Sequence, residues 1–189
     1  MSLKDLNIDR QWTLFLDRDG IINRLRVDDY VKCWEEFEFL PGVLEAIPVL
    51  NSFFDKLIIV TNQQGIGKGI VKPSAVEEVH RKMLEAVFQA GGKIHGIYVC
   101  PNLERDHHPC RKPDTGMALQ AKKDFPRIEF HRSIMLGDSE SDMEFGRRLG
   151  MVNILIMNNI QKTNIQTNLY DLTFPDLFAF TMEIKKHYL

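Results

Sequence analysis

Apolar residues occur along the chain in short runs that alternate with stretches of helical spacing. Five runs have the length of buried strands, at residues 12–16, 57–60, 97–99, 134–136 and 152–156. Elsewhere apolar residues recur every three or four positions, which predicts helices near residues 43–50, 74–90, 116–123, 139–149 and 175–186. Alternating strands and helices are typical of an α/β domain in which helices cover both faces of a parallel sheet.

A polar cluster follows each of the first four predicted strands. The clusters lie at residues 17–20, 61–65, 100–112 and 137–142. Because ligands of parallel sheets gather at the carboxyl ends of the strands, we expect the clusters to meet at one rim. Asp17, Asp19 and Asp138 would bring three like charges together there. Oxygen ligands of this kind favour Mg²⁺ over softer metals.

Donors for a phosphoryl group occur in the same clusters. Thr61, Asn62, Lys112 and the backbone amides near Gly65 offer N–H and O–H groups suited to phosphate oxygens. Carboxylates with a divalent cation beside phosphate donors indicate phosphoryl transfer, with one aspartate as the nucleophile.

Composition narrows the class of protein. The 189 residues are 44% hydrophobic and 26% charged, which is typical of one globular domain spanning 1–189. A formal net charge of −2 argues against nucleic-acid binding through bulk charge. The polar N-terminus and the lack of an apolar run of about 18 residues argue against secretion and membrane association. Three cysteines argue against a disulfide-stapled scaffold, so we expect a cytoplasmic protein.

Four sequence motifs resemble those of one enzyme superfamily. DRDG, TNQ, RKP and GDSESD, at residues 17–20, 61–63, 111–113 and 137–142, resemble the motifs of haloacid dehalogenase phosphatases. The longer stretches LFLDRDGIIN, FEFLPGV, IVTNQQGIGKG and CRKPDTGM are similar to the branch acting on heptose bisphosphate and histidinol phosphate. The resemblance runs from about residue 12 to residue 157. It implies a Rossmann-like three-layer fold, with a tail over 158–189 that packs on this core.

The resemblance also implies a role for each motif residue. Asp17 would attack phosphorus, and Asp19 would protonate the leaving oxygen and then activate water. Asp17, the backbone carbonyl of Asp19, and Asp138 would hold Mg²⁺. The phosphoryl oxygens would be held by Thr61 and Lys112. The substrate would also be held by Asn62, Gln63 and Arg111.

Three functions remain open at this level. The resemblance favours a Mg²⁺-dependent phosphatase that removes the 7-phosphate of D-glycero-D-manno-heptose 1,7-bisphosphate, on a route to lipopolysaccharide or surface-layer glycans. The alternative within the family is a histidinol-phosphate phosphatase. A non-catalytic member that binds phosphorylated ligands is the third, suggested by Ile21 where the family usually has Thr, but Asp17 and Asp19 are both present.

Spacing predicts an open site. Intervals of 44 residues between Asp17 and Thr61, and 51 between Thr61 and Lys112, are filled by predicted core elements. No large cap domain fits, so the loops 23–40 and 101–110 would select the small phosphorylated substrate, and we expect a monomer. Lys68 is a candidate contact for a distal phosphate.

The relatives usually carry a zinc loop of the form Cys-x-His, five residues, Cys-x-Cys. Here Cys100, His108 and Cys110 are good ligands, but Asn102 stands where the first His belongs. His107 or Asp106 could substitute as the fourth ligand. The sequence leaves two interpretations open: a structural zinc site, or a loop held by hydrogen bonds and prolines.

One further residue, Asp142, has a structural and a functional interpretation. Asp142 could bind at the site or merely favour the first turn of its helix. His80 has no partner pattern and is expected to be an ordinary core or surface histidine, as are His95 and His131.

Overall fold

The computed structural model describes residues 2–157 and 165–188, which contain a six-stranded parallel sheet. Its strands are β1 Thr13–Leu16, β2 Lys56–Asn62, β3 Gly96–Cys100, β4 Ser133–Gly137, β5 Val152–Ile156 and β6 Leu172–Phe174. Their order is β3-β2-β1-β4-β5-β6, so β1 lies inside the sheet between β2 and β4. The polar ends of β1, β2 and β4 are therefore adjacent.

Helices cover both faces of the sheet. They are α1 Val43–Phe53, α2 Gln64–Gly67, α3 Pro73–Gln89, α4 Gly116–Asp124, α5 Glu140–Leu149 and α6 Leu177–Tyr188. Leu14 and Leu16 pack in one core with apolar residues of α1, α3 and α6. Phe15, which points to the other face, packs with residues of α4 and α5. The predicted three-layer α/β fold is confirmed.

The strands extend further than the apolar runs predicted. β2 continues through Thr61 and Asn62, because these residues pair with Val99 and Cys100 of β3. Four residues that the apolar runs placed just beyond strands thus lie at strand ends: Thr61, Asn62, Cys100 and Gly137. Pairing with a neighbour decides where a strand stops, and an apolar run does not record it.

The tail contributes more than the predicted helix. β6 pairs with β5 at the edge of the sheet, and Phe180 and Ile184 of α6 are fully buried in the core that contains α1. A three-residue strand of sequence Leu-Thr-Phe is too short to stand out as a pattern. Residues 158–164 of the tail lie outside the described part of the chain.

One helix start differs from the prediction. Ser74 and Glu77 have the spacing of a capping box before the predicted helix near residues 74–90, yet α3 begins at Pro73 with Lys72 as the N-cap. Proline is favoured at the first helical position because its φ is already helical and it needs no hydrogen bond there. The nearby serine therefore lies inside the helix.

Long loops surround the polar rim. The segment between β1 and α1 contains the short 3₁₀ helix Trp34–Glu36, and the segment between β3 and α4 contains Glu104–Asp106. Neither described segment holds an inserted domain, in agreement with the predicted absence of a large cap. No helix among the described residues is long and apolar enough to span a bilayer.

Candidate active site

The end of β1 turns sharply at the rim. Asp17 donates its backbone N–H to the carbonyl of Leu136 on β4, at 3.0 Å, and its side chain is 12% exposed. Gly20 follows with φ +89°, and a Cβ there would lie 2.0 Å from Oδ2 of Asp138. Glycine is thus required both by the backbone conformation and by the approach of a carboxylate.

Lys112 connects the rim electrostatically. Its Nζ lies 2.8 Å from Oδ1 of Asp17, 2.6 Å from Oδ1 of Asp142 and 2.8 Å from the carbonyl of Val60. The side chain is 2% exposed, so water cannot replace these partners. Burial opposes the ammonium charge, but the carboxylates of Asp142 and Asp17 raise the pKa of Lys112 above its usual value.

Asp138 joins the same group of charges. Ligand oxygens of Asp17, Asp138 and Asp142 all lie within 4.8 Å of one another. We call these three residues with Lys112 the acid–lysine cluster. Three carboxylates and one ammonium leave two negative charges in a largely buried space, which a divalent cation would neutralise. The donor set fits Mg²⁺, with Asp142 as a further candidate ligand.

Burial raises the pKa of Asp17 to about 7, with the charge of Lys112 opposing this and those of Asp142 and Asp19 adding to it. Lys112 alone therefore does not fully stabilise the ionised form of Asp17. A second positive charge beside it would keep the carboxylate ionised, as a nucleophile requires.

Asp142 caps α5 and also lies at the acid–lysine cluster, and its role in binding stays a prediction. Its Oδ2 accepts hydrogen bonds from the backbone N–H and the hydroxyl of Ser139, at 3.1 and 2.6 Å, which completes a capping box on α5. Its other oxygen, Oδ1, faces Lys112, and the residue is fully buried. The capping hydrogen bonds fix the side chain of Asp142 so that Oδ1 points into the acid–lysine cluster.

Asp19 faces a different set of partners. Arg18 Nη2 donates to both carboxylate oxygens at 2.9 Å, Asn23 donates to Oδ1 at 2.9 Å and Gln63 donates to Oδ2 at 2.7 Å. Burial opposes ionisation, but Arg18 and these hydrogen bonds hold the pKa of Asp19 below its usual value. With its side chain turned to Arg18, Asp19 would have only its backbone carbonyl to offer a metal.

The end of β2 supports these groups. Gln63 donates to Oγ1 of Thr61 at 2.8 Å as well as to Asp19. Asn62 accepts from the backbone N–H of Lys112 at 3.0 Å and donates to its carbonyl at 3.1 Å. The two predicted amide residues thus hold Asp19 and the Lys112 loop. Their expected contact with substrate stays a prediction.

Arg111 lies apart from the acid–lysine cluster. Its Nη1 is 3.4 Å from the carbonyl of Asn102, within the loop that follows β3. Substrate binding by this residue was predicted from the motif and stays a prediction. In this structure its guanidinium contacts the loop backbone.

The loop of residues 100–110, hereafter the cysteine–histidine loop, brings its predicted ligands together. Ligand atoms of Cys100, His108 and Cys110 lie within 4.8 Å of one another, and Asn102 Oδ1 is 3.4 Å from Sγ of Cys110. The two sulfur atoms form a disulfide, with Cα atoms 5.4 Å apart. An oxidised pair offers no thiolates, so zinc would need the reduced form.

The proposed substitutes for the fourth ligand do not join that group among the described residues. His107 caps the short helix Glu104–Asp106 with φ +45°, and Asp106 accepts from the backbone of Leu103 at 3.1 Å. Asn102 therefore occupies the fourth position itself.

Two residues near Asp19 were missed by sequence reasoning. Arg18 is 1% exposed, and its Nη1 lies 2.9 Å from Nε2 of His80, which is 8% exposed. A signal was present: His80 lies four residues after Val76 and three before Met83, on the buried face of α3. A histidine on an apolar helix face needs a partner, and the motif arginine is the partner that the fold supplies.

Comparison with known proteins agrees with this geometry. A model of HAD-hydrolase-like proteins matches residues 109–175. The D-glycero-alpha-D-manno-heptose-1,7-bisphosphate 7-phosphatase of Mycobacterium bovis is 41% identical over 139 residues, covering 74% of this chain and 73% of that protein. The D-glycero-beta-D-manno-heptose-1,7-bisphosphate 7-phosphatase of Helicobacter pylori is 39% identical over 153 residues, covering 79% and 86%.

A solved structure shows the same likeness in three dimensions. The D,D-heptose 1,7-bisphosphate phosphatase of B. bronchiseptica, complexed with magnesium and phosphate, superposes with a TM-score of 0.82 and 26% identity. The match covers 93% of this chain and 98% of that one. The chain belongs to the haloacid dehalogenase-like hydrolases, in the group that contains these heptose bisphosphate phosphatases.

Proposed function

We propose that this protein is a Mg²⁺-dependent phosphatase that removes the 7-phosphate of D-glycero-D-manno-heptose 1,7-bisphosphate. The observation that carries the proposal is the acid–lysine cluster, in which Asp17 pairs with the buried ammonium of Lys112 at 2.8 Å. Relatives at 33–41% identity are named for this reaction.

The first chemical step belongs to Asp17. Its carboxylate oxygen forms a bond to phosphorus, the bond from phosphorus to the substrate oxygen breaks, and an aspartyl-phosphate results. Lys112 stabilises the ionised nucleophile and the charge that develops on the phosphoryl oxygens, and Thr61 Oγ1 donates beside it. When bound by Asp17, Asp138 and Asp142 or the Asp19 carbonyl, Mg²⁺ supplies further charge neutralisation.

Asp19 acts first as the general acid and then as the general base. It gives a proton to the leaving sugar oxygen and then takes one from the water that hydrolyses the aspartyl-phosphate. Its pairing with Arg18 favours the ionised form, which is the form that takes the proton from water. Because uncatalysed hydrolysis of phosphate monoesters is slower than the enzymatic reaction by up to ~10²¹, both a covalent step and charge compensation are needed.

The substrate would occupy the space beside the rim. An open cleft of about 690 Å³ begins at Gln64, directly after the residue that contacts Asp19, and is also lined by Lys68, Arg105 and His107. Lys68 and Arg105 carry positive charges that suit a substrate with a second phosphate, although Glu104 also lines the cleft. This favours a sugar bisphosphate over histidinol phosphate, which has one phosphate and a cationic amine. The relatives include enzymes for both anomers, so the cleft must decide between them.

The cysteine–histidine loop and the cellular setting complete the proposal. We infer that the reduced loop binds zinc weakly through Cys100, His108 and Cys110, because Asn102 is a poor fourth ligand.

The reaction would take place in the cytoplasm, since a doubly phosphorylated sugar carries charges that a bilayer excludes. A monomer is expected.

The nucleophile provides the test. Replacing Asp17 by Asn removes the attacking oxygen's charge but keeps its shape, so Mg²⁺-dependent release of phosphate from heptose 1,7-bisphosphate should fall at least roughly 10³-fold. The folded state should persist, as judged by circular dichroism and thermal melting. Asp114→Asn, on an exposed loop ion pair, is the matched control. Retained turnover in Asp17→Asn would contradict the assignment of the nucleophile.

A further inference from the structure

His80 is buried beside the active site and takes no part in the chemistry proposed above. It lies in the middle of α3, 8% exposed, with Nε2 2.9 Å from Nη1 of Arg18. Because a guanidinium can only donate, Nε2 must accept, so the imidazole is neutral with its proton on Nδ1. Burial and the charge of Arg18 lower the pKa of His80 to about 4, in agreement with this tautomer.

Arg18 contacts both His80 and Asp19 and so links the two residues. One of its terminal nitrogens, Nη1, is held by His80, and the other, Nη2, donates to both oxygens of Asp19 at 2.9 Å. The third nitrogen, Nε, has no hydrogen-bond partner among the described residues. His80 and Asp19 are therefore the two groups that fix the plane of this buried guanidinium.

We propose that His80 is a positioning residue, which holds Arg18 so that the Asp19 carboxylate stays aligned for proton transfer. The inference rests on the proposed function, because it assigns His80 a part in the acid–base steps of Asp19. Without the acceptor, Nη1 would be buried and unpaired, which is unfavourable enough to make the guanidinium turn. Asp19 would keep its hydrogen bonds from Asn23 and Gln63 but lose those from Arg18, which donates to both of its oxygens.

Two amide substitutions separate positioning from simple packing. The side-chain oxygen of glutamine reaches the place of Nε2, whereas that of asparagine reaches only the place of Nδ1. His80→Asn should lower kcat for the sugar bisphosphate by roughly tenfold to a hundredfold with little change in KM, the scale of effect expected from a misaligned catalytic group. His80→Gln should keep kcat within about threefold of wild type. Equal losses in the two variants would overturn the proposal.

A second measurement compares two substrates that differ in their leaving group. A purely structural defect would lower activity equally with both. A poor leaving group such as a sugar alkoxide needs the proton from Asp19, whereas para-nitrophenolate departs without it. The loss in kcat/KM caused by His80→Asn should therefore be much larger with the sugar phosphate than with para-nitrophenyl phosphate. The same loss with both esters would assign His80 to packing and overturn the proposal.

Controls keep this result separate from the proposed function. His95→Ala removes another histidine acceptor, which receives the N–H of Leu57 at 3.0 Å near the amino end of the sheet, and it should leave kcat unchanged. Turnover that survives Asp17→Asn would count against the proposed function. Full activity of His80→Asn, with Asp17→Asn inactive, would count against the positioning role only.

Discussion

Two groups of metal-type ligands lie at one rim, and they differ in how the fold holds them. The acid–lysine cluster joins side chains from distant segments, and Lys112 and Asp142 in it are 2% and 0% exposed. The cysteine–histidine loop takes its ligands from neighbouring positions in the chain, and His108 is exposed. Buried charges need partners in every state, whereas the two cysteines of this loop can either bind a metal as thiolates or form a disulfide, although Cys100 is buried. We therefore propose a catalytic role for the acid–lysine cluster and a structural role for the cysteine–histidine loop.

Among the changes that test this comparison, replacing Lys112 should have the largest effect, because its ammonium pairs with two buried carboxylates. Lys112→Met should lower kcat/KM by roughly 10²–10³-fold and, without Mg²⁺, reduce the free energy of unfolding by about 3 kcal/mol. Phosphate release and urea unfolding measure the two effects. Lys123→Met on the exposed side of α4 is the control and should change neither. If Lys112→Met loses no more activity than Lys123→Met, the central role of the acid–lysine cluster is wrong.

Magnesium should stabilise the folded protein through the same cluster. At a concentration one hundred times its Kd, a bound ion adds about 2.7 kcal/mol to the free energy of unfolding. For a chain of this size that raises Tm by roughly 5–10 °C. Asp138→Asn should abolish most of the increase and EDTA should reverse it. If Mg²⁺ raises the Tm of Asp138→Asn as much as that of the wild type, Asp138 is not a ligand of the metal.

The zinc content of the purified protein tests the cysteine–histidine loop. Protein purified under reducing conditions should hold less than one zinc per chain, and Asn102→His should raise the content to about one, because His replaces a poor ligand. Elemental analysis measures this, and kcat should change little. His107→Ala is the matched control and should keep its zinc content, since that residue lies outside the ligand group. No zinc in either reduced protein would mean that the loop is stable without metal.

The smallest effect concerns the pH dependence of stability. His80 has a pKa of about 4 in the folded state, against an ordinary value of 6.5, so the unfolded chain binds more protons between those values. Stability should therefore fall as the pH drops from about 6.5 towards 4, by an amount on the order of 2 kcal/mol. Urea unfolding of wild type and His80→Gln at pH 7 and pH 5 measures it. Identical pH dependence in the two proteins would contradict this.

The sequence predicted the fold class, the three layers and the strand ends that carry Asp17 and Asp138, because apolar periodicity and motif spacing record them directly. It did not predict β6, whose three residues acquire strand structure from pairing with β5. It also missed the link between Arg18 and His80, which are 62 positions apart. Contacts between distant polar residues depend on how α3 packs against the sheet, and a single sequence does not contain that geometry.

The proposed reaction can be followed by phosphorus NMR of heptose 1,7-bisphosphate with and without Mg²⁺, beside a parallel reaction with histidinol phosphate. The account predicts loss of the 7-phosphate signal, one equivalent of inorganic phosphate and a retained 1-phosphate, all dependent on Mg²⁺, with a far lower kcat/KM for histidinol phosphate. Release of the 1-phosphate, faster hydrolysis of histidinol phosphate, or no hydrolysis of either ester would contradict it.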